Sequence, residues 1–233
     1  MKLYCFPHAG GTPGTYLDWL QPLTNMVELV PVFYKSRELT LGDLVQEIAS
    51  IILNQSIDET FAFIGHSFGS LVAFEVAIWL QDQGVSTPVL LILSGKRPLI
   101  YSSKKQRHVL CDEDFYRDIL SMGNFSNESR AEKMLLKLFL HRVRADFKMS
   151  ETYRYPQDHI AEAEIIMLNG LDDPETNNDE MDKWDLLNRG NCEVYHFTGN
   201  HFFIFDHQTE IIDVIRNKLT KYLSLNETEG RPL

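Results

Sequence analysis

The chain has 233 residues and a formal net charge of −11, with 44% hydrophobic and 24% charged residues. These values are typical of one globular domain with a sizeable core, and they argue against binding to nucleic acid or to an anionic membrane surface. Three scattered cysteines argue against a disulfide framework or a zinc site, and no signal peptide or membrane-length apolar run is visible, so we expect a cytoplasmic protein that acts as a monomer.

Strands and helices alternate through the first part of the chain. Apolar runs and helical periodicity predict strands at 2–6, 27–34, 61–64 and 89–93, and helices at 15–23, 40–54 and 70–83. Thr40 stands at the N-cap position of the second helix. Repeated β-α-β units with continuous apolar strands predict an α/β fold, in which a mostly parallel sheet carries helices on both faces.

The alternation stops between residues 96 and 157, where the sequence carries no strand signal and predicts helices at 112–122 and 128–149. This segment is either a structural elaboration or a helical lid. We favour a lid, because ligands in parallel α/β sheets bind beyond the carboxyl ends of the strands. Six apolar side chains of the insertion are candidates for an acyl pocket: Phe115, Ile119, Met122, Leu135, Leu138 and Phe139.

The β-α rhythm resumes after the insertion. It predicts strands at 164–168 and 193–197, helices at 179–187 and 204–223, and a frayed tail at 226–233. With no repeat and no second core, residues 1–233 are predicted to form a single domain that contains the insertion at about 96–157.

A sharp strand-to-helix turn is indicated where the motif Gly65-His66-Ser67-Phe68-Gly69 follows an apolar strand and precedes a helix. The motif alone also arises by chance, but in this setting Ser67 adopts a strained conformation and the two glycines let the strand and the helix approach closely. We predict that Ser67 is a nucleophile. The N–H group of Phe68, at the start of the helix, is predicted to form half of an oxyanion hole.

A serine nucleophile needs a base, and the base needs a side chain that fixes its tautomer. In this type of fold the chain order is serine, acid, histidine, with the last two on loops after late strands. His201 follows the strand at 193–197 and is the predicted base. Asp172 and Asp173 both follow the strand at 164–168. The position just before Pro174 favours Asp173, and Asp172 remains the alternative.

The other seven histidines are less suitable because of their positions. They are His8 and His66 beside backbone turns, His108, His141 and His159 in or near the insertion, His196 within a strand, and His207 at the start of the last helix, where it could support the site. Glu175 and Asp206 are predicted to be surface acids without a role in the site.

Five segments together resemble a known family. They are Phe6-Pro7-His8-Ala9-Gly10-Gly11, Gly65-His66-Ser67-Phe68-Gly69, Arg144-Ala145-Asp146-Phe147 with Tyr153 and Tyr155, Asn169-Gly170-Leu171-Asp172-Asp173-Pro174, and Gly199-Asn200-His201-Phe202-Phe203. They follow the order of the type II thioesterases that accompany nonribosomal peptide and polyketide synthases and that have a relative in animal fatty-acid synthesis. The resemblance spans residues 2 to about 205, and it implies the α/β-hydrolase fold.

The resemblance also implies roles for individual residues. Ser67 would be the nucleophile, Asp173 the orienting acid and His201 the base, and the N–H groups of Ala9 and Phe68 would form the oxyanion hole. The implied reaction is hydrolysis of acyl thioesters on the phosphopantetheine arm of carrier-protein domains, as an editing step. The phosphopantetheine belongs to the substrate, so the resemblance implies no metal and no organic cofactor of the enzyme.

The chain departs from the family at one turn, and two other functions stay open. The family's Pro-Gly-Arg turn after the second strand is replaced here by the sequence at 32–37, Val-Phe-Tyr-Lys-Ser-Arg. The first alternative is an esterase or acyltransferase of the same fold that acts on a free small ester or on acyl-coenzyme A. The second is a noncatalytic hydrolase-fold binding protein, against which the retention of Ser67, Asp173 and His201 argues.

Overall fold

In the computed structural model of the protein, which describes residues 1–34, 40–55, 59–122, 134 and 136–228, six strands form one sheet. The strands are β1 (Lys2–Phe6), β2 (Glu28–Pro31), β3 (Phe61–His66), β4 (Leu90–Ser94), β5 (Glu164–Gly170) and β6 (Cys192–Phe197). Their order across the sheet is β2-β1-β3-β4-β5-β6, and every neighbouring pair is parallel. The predicted parallel α/β sheet is therefore confirmed.

Helices connect the strands and cover the sheet. The α-helices are α1 (Leu20–Leu23), α2 (Leu41–Gln55), α3 (Phe68–Asp82), α4 (Asp112–Ser121), α5 (Leu140–Thr152), α6 (Phe203–Asp206) and α7 (Gln208–Thr228), and 3-10 helices span Pro13–Trp19, Arg107–Val109 and Asn178–Leu187. Thr40 caps α2 as predicted, because its Oγ1 accepts the N–H of Asp43 (3.2 Å) while Asp43 Oδ2 accepts the N–H of Thr40 (3.1 Å).

The core has two halves, one on each face of the sheet. Successive residues of β3 alternate between them: Phe61 and Phe63 pack with α2 and α3, whereas Ala62 and Ile64 pack with α7 and with the segment that leads into β2. This alternation is the period-2 geometry of a strand whose two faces are both covered. The strand runs were apolar throughout for the same reason.

Two predicted helices differ from those observed. The segment predicted as a helix at 179–187 is a 3-10 helix, and its buried residues Met181, Trp184 and Leu187 are spaced by three, which is the period of that helix. The last helix is divided at His207 into α6 and α7. The second part continues through Thr228, so the first residues of the predicted frayed tail are helical.

Four sequence-based predictions concern residues beyond the described ranges. Leu135, the start of the helix predicted at 128–149, most of the turn at 32–37 and residues 229–233 of the tail lie outside them.

The insertion between β4 and β5 is attached to the rest of the protein by a buried arginine. Arg107, 4% exposed, forms a bidentate ion pair with Glu175 in the loop after β5 (Nη1 to Oε2, 2.9 Å). It also pairs with Asp118 of α4 and lies 3.8 Å from a carboxylate oxygen of Glu151 in α5. The prediction that Glu175 is a surface acid without a role is therefore wrong, since its carboxylate anchors the insertion.

The ion pair sets the protonation of Glu175. Burial would raise the pKa of Glu175, but hydrogen bonds from Arg107 and Lys105 and their charges outweigh it and lower the pKa to about 2. Glu175 therefore stays ionised down to strongly acidic pH.

The junction of β3 and α3 brings two backbones into close contact. A Cβ atom on Gly65 would overlap the carbonyl of Gly69, and a Cβ atom on Gly69 would overlap the carbonyl of Phe6 in β1. Since backbone atoms on both sides are fixed by the parallel sheet and by α3, neither can move aside. Only glycine fits at these two positions.

We expect Gly69→Ala to lower the free energy of unfolding by about 3 kcal/mol or more, because the added methyl group meets backbone rather than a flexible side chain. Gly42→Ala is the matched control. The nearest atom to a Cβ at Gly42 is 3.8 Å away, and alanine favours the α2 helix, so this variant should be as stable as the parent or more stable. Urea unfolding compares the two, and equal stabilities would contradict the close-approach explanation.

We expect Glu175→Gln to lower stability by about 2 kcal/mol at pH 7, because Arg107 loses one of its buried partners. The pKa of Glu175 is lower in the folded than in the unfolded protein, so the contribution is present above about pH 4.5 and is lost as the pH falls toward 2. Unfolding measured across this range should show the difference from the parent shrinking. Glu162→Gln, in an exposed pair with Arg189, should behave like the parent, and a pH-independent difference would contradict the ion-pair origin.

Candidate active site

The strand-to-helix turn holds Ser67 in a strained backbone conformation. Its φ and ψ are 56° and −114°, and it is the only non-glycine residue in the described part of the chain with a positive φ. The Ser67 N–H donates to the carbonyl of Ser94 at the end of β4 (2.7 Å). The buried hydroxyl of Ser70 in α3 accepts the Ser94 N–H (2.9 Å) and lies 2.8 Å from the carbonyl of Gly65. These bonds hold the turn against its strain.

Three side chains from three separate loops form one chain of hydrogen bonds. His201 Nε2 lies 2.9 Å from Ser67 Oγ, and His201 Nδ1 lies 2.9 Å from Asp173 Oδ2. His201 is 1% and Asp173 6% exposed, whereas Ser67 is partly exposed at the end of the sheet where a substrate can reach it. With Nδ1–H directed to the carboxylate, Nε2 is free to accept the Ser67 proton.

Asp172 and Asp173 are neighbours in sequence but bind different partners. Asp173 Oδ1 accepts the N–H of Glu175 (2.8 Å), so both of its carboxylate oxygens are bound. Asp172 Oδ2 instead accepts the N–H of Gly199 (3.2 Å), and the Asp172 N–H donates to the carbonyl of Gly199 (3.0 Å). Asp172 therefore joins the loop after β5 to the loop after β6, and Asp173 is the acid that faces His201.

The two residues predicted for the oxyanion hole are held by backbone structure. Phe68 is the first residue of α3, where an N–H group has no acceptor within the helix. Ala9 lies in the loop after β1 and lines a cavity together with Ser67. The next residue, Gly10, donates its N–H to Oδ2 of Asp146 (2.8 Å), a fully buried carboxylate of α5. This bond orients the loop that carries the Ala9 N–H.

Two further histidines lie close to His201. The rings of His66 and His201 are tilted against each other with centroids 5.0 Å apart, and His66 Nδ1 lies 3.0 Å from Ser94 Oγ. Burial, and then repulsion from His201, hold the pKa of His66 well below its usual value. Loss of hydration lowers the pKa of His8 to about 4. Both rings are neutral at pH 7, so neither places a second positive charge beside His201.

Two cavities of different polarity open onto Ser67. The smaller, about 110 Å³, is lined mainly by apolar side chains of the insertion, and the larger, about 390 Å³, is lined mainly by polar and charged side chains. Met122 and Phe147 line both, so they mark the division between them. The insertion thus contributes walls to both spaces next to the nucleophile.

The predicted pocket residues of the insertion divide into three groups. Ile119 and Met122 line the apolar cavity, as expected. Phe115 is buried inside the insertion, and Leu138 and Phe139 are 60% and 44% exposed on its outer surface, so these three predictions are wrong. The missed lining residues are Leu136, Val143 and Phe147, whose spacing by seven and four residues indicates one face of a helix.

Two polar residues that organise the site were not recognised as such from the sequence. Asp146 lies three residues from both Val143 and Met149, on the buried face of α5, where a carboxylate without a hydrogen-bond donor would be costly. Ser70 lies in α3, a helix that is buried almost all round. A single polar residue within an otherwise apolar helical face is the signal that could have identified both.

In the ranges that the structure describes, no helix is both long and apolar enough to cross a membrane. Those ranges also contain no group of three His, Cys, Asp or Glu side chains placed to hold a metal ion. The three cysteines are free thiols: Cys5 is buried, Cys111 exposed and Cys192 partly buried.

Known proteins resemble the chain over nearly its whole length. It is 27% identical over 232 residues to the gramicidin S biosynthesis protein GrsT of Aneurinibacillus migulanus, with 96% of this chain and 91% of GrsT aligned. It is 26% identical over 236 residues to the medium-chain S-acyl fatty acid synthase thioesterase of Rattus norvegicus, with 97% and 88% aligned. The crystal structure of ClbQ from the colibactin NRPS/PKS pathway superposes with a TM-score of 0.86 at 25% identity, covering 96% of this chain and 98% of ClbQ.

The family model that describes the thioesterase domain matches residues 1–219. The agreement in fold with ClbQ extends over the sheet and the helical insertion, since it covers all but a few per cent of both chains. The protein belongs to the thioesterase family and has the α/β-hydrolase fold.

Proposed function

We propose that the protein is a serine thioesterase that hydrolyses acyl groups from the phosphopantetheine arm of carrier-protein domains. The observation that carries the proposal is the hydrogen-bonded chain from Ser67 through His201 to Asp173 in a member of the thioesterase family. GrsT acts in gramicidin S biosynthesis and ClbQ belongs to the colibactin pathway, which supports an editing role in a nonribosomal peptide or polyketide synthase. Its partners would then be acyl- or peptidyl-carrier domains.

In the first half of the reaction, His201 Nε2 takes the proton of Ser67 as Oγ attacks the thioester carbonyl. Asp173 holds the imidazole in the tautomer that leaves Nε2 free, and its charge stabilises the imidazolium that forms. The tetrahedral oxygen accepts hydrogen bonds from the N–H groups of Phe68 and Ala9, each worth on the order of 3 kcal/mol.

In the second half, the carbon–sulfur bond breaks and the thiol leaves with the proton from His201. The acyl group remains on Ser67 as an ester. A water molecule then attacks this ester with His201 as the base, which releases the carboxylic acid and restores the serine. One chain supplies all the side chains, so a monomer is sufficient, and no step of the proposed mechanism uses a metal or an organic cofactor.

We expect the enzyme to hydrolyse a butyryl group faster from a carrier protein than from coenzyme A or from a simple butyrate ester, because binding energy from the partner then assists the reaction. Rates of acid release on the three substrates measure this preference. Ser67→Ala should reduce each rate by on the order of 10⁵-fold while leaving thermal unfolding unchanged. Wild-type-like rates in a folded Ser67→Ala protein would exclude the serine mechanism, and a preference for the simple ester would favour an esterase.

We expect Asp173→Asn to lower kcat by on the order of 10³- to 10⁴-fold, because the amide favours the wrong tautomer of His201. Asp172→Asn is the matched control, since an amide oxygen can still accept the Gly199 N–H, and kcat should change by less than about threefold. Steady-state kinetics of both variants provide the test. A larger effect at Asp172 would show that the loop presents a different acid to His201 in the working enzyme.

A further inference from the structure

The larger cavity beside Ser67 is cationic although the chain as a whole is strongly acidic. Five cationic side chains line it, against two carboxylates, Glu151 and Glu175. The five are Lys96, Arg97, Lys104, Lys105 and Arg107. A net charge of −11 makes such a concentration of positive charge at one place a local feature of the site rather than a property of the surface.

Three of these five cations are neutralised by protein carboxylates. Arg97 forms a bidentate ion pair with Glu180, and Lys105 and Arg107 both pair with Glu175. These groups serve structure, since they attach the insertion and the segment after β4 to the loop that follows β5.

Lys96 is different, because its partner is a neutral hydroxyl. It is partly buried, and its Nζ donates to Oγ of Ser150 in α5 (2.9 Å). Among the described residues, no carboxylate lies within 4.0 Å of this ammonium group; Glu175 and Glu151 act on it only from a greater distance. Desolvation lowers the pKa of Lys96 to about 8, so the group is still mainly charged at pH 7.

Lys96 also lies close to the reacting groups. It directly follows Gly95, and a Cβ atom placed on Gly95 would be 3.5 Å from Cε1 of His201. The Lys96 carbonyl accepts the indole N–H of Trp184 (3.0 Å), so the backbone here is fixed by a buried side chain. An anion bound at Lys96 therefore lies near the acyl carbon of a substrate attached to Ser67, and the phosphate at the far end of a pantetheine arm does not.

We propose that the larger cavity binds acyl groups that carry a carboxylate, and that Lys96 selects them by forming an ion pair with that carboxylate. The inference rests on the proposed thioesterase function and specifies its substrate class. A substrate carboxylate would complete the charge balance that Lys96 lacks, and a charge-assisted hydrogen bond in a partly buried site is among the stronger polar contacts. The cavity of about 390 Å³ has room for such a group beside Met122 and Phe147.

The test compares succinyl and butyryl thioesters of N-acetylcysteamine, two acyl groups of equal length of which only the first has a terminal carboxylate. We expect Lys96→Met to lower kcat/KM for the succinyl substrate by about 30-fold, mainly through KM, and for the butyryl substrate by no more than about twofold. Lys96→Gln, which can keep a hydrogen bond to Ser150 without the charge, should give the same loss. Lys96→Arg should restore part of the succinyl activity.

A charge control and a second thiol separate the other outcomes. Lys148→Met removes an exposed lysine of α5 that does not line the cavity, and it should leave both rates unchanged. Equal losses for both acyl groups, or a loss that follows a lowered melting temperature, would overturn the proposal in favour of a structural role for Lys96. A loss confined to coenzyme A thioesters, whatever their acyl group, would assign the anion to a phosphate and would also overturn it. Absence of hydrolysis of every thioester by the wild-type enzyme would instead refute the thioesterase function on which the inference rests.

Discussion

The strained backbone of Ser67 is the constraint on which the site depends. A non-glycine residue with positive φ costs on the order of 1–3 kcal/mol and persists only where its surroundings are rigid. Here the rigidity comes from β3, from α3, and from the contact of their backbones at Gly65 and Gly69. The result is a serine that stands clear of the sheet beside a free helix N-terminus, which is the arrangement that acyl transfer requires.

The insertion and the catalytic loops form one mechanical unit, because charged groups join them. Arg107 connects the insertion to Glu175, only two residues after Asp173, and Asp146 connects α5 to Gly10, next to Ala9. The element that shapes the substrate cavities therefore also holds the loops that orient His201 and carry an oxyanion N–H. Movement of this element would affect both substrate binding and catalytic geometry.

The two cavities meet at the nucleophile but offer different chemistry. One is small and apolar, and the other is larger and cationic, with Met122 and Phe147 between them. A thioester has two branches, the acyl group and the thiol arm, and both must be accommodated around Ser67. Differences in polarity between the two spaces decide which branch enters which one, so specificity in this enzyme is a matter of charge as well as of chain length.

The sequence by itself determined the sheet, the order of its connections and the position of Ser67, because these follow from local patterns: apolar runs, helical periodicity and glycines at a sharp turn. It left Asp172 and Asp173 unresolved, misjudged Glu175 and placed pocket residues on the wrong face of the insertion. Only the tertiary structure decided these points, since Asp173 meets His201 across 28 residues, Glu175 meets Arg107 across 68, and Asp146 meets Gly10 across 136. Contacts over such separations depend on how the loops pack, which no pattern among neighbouring residues records.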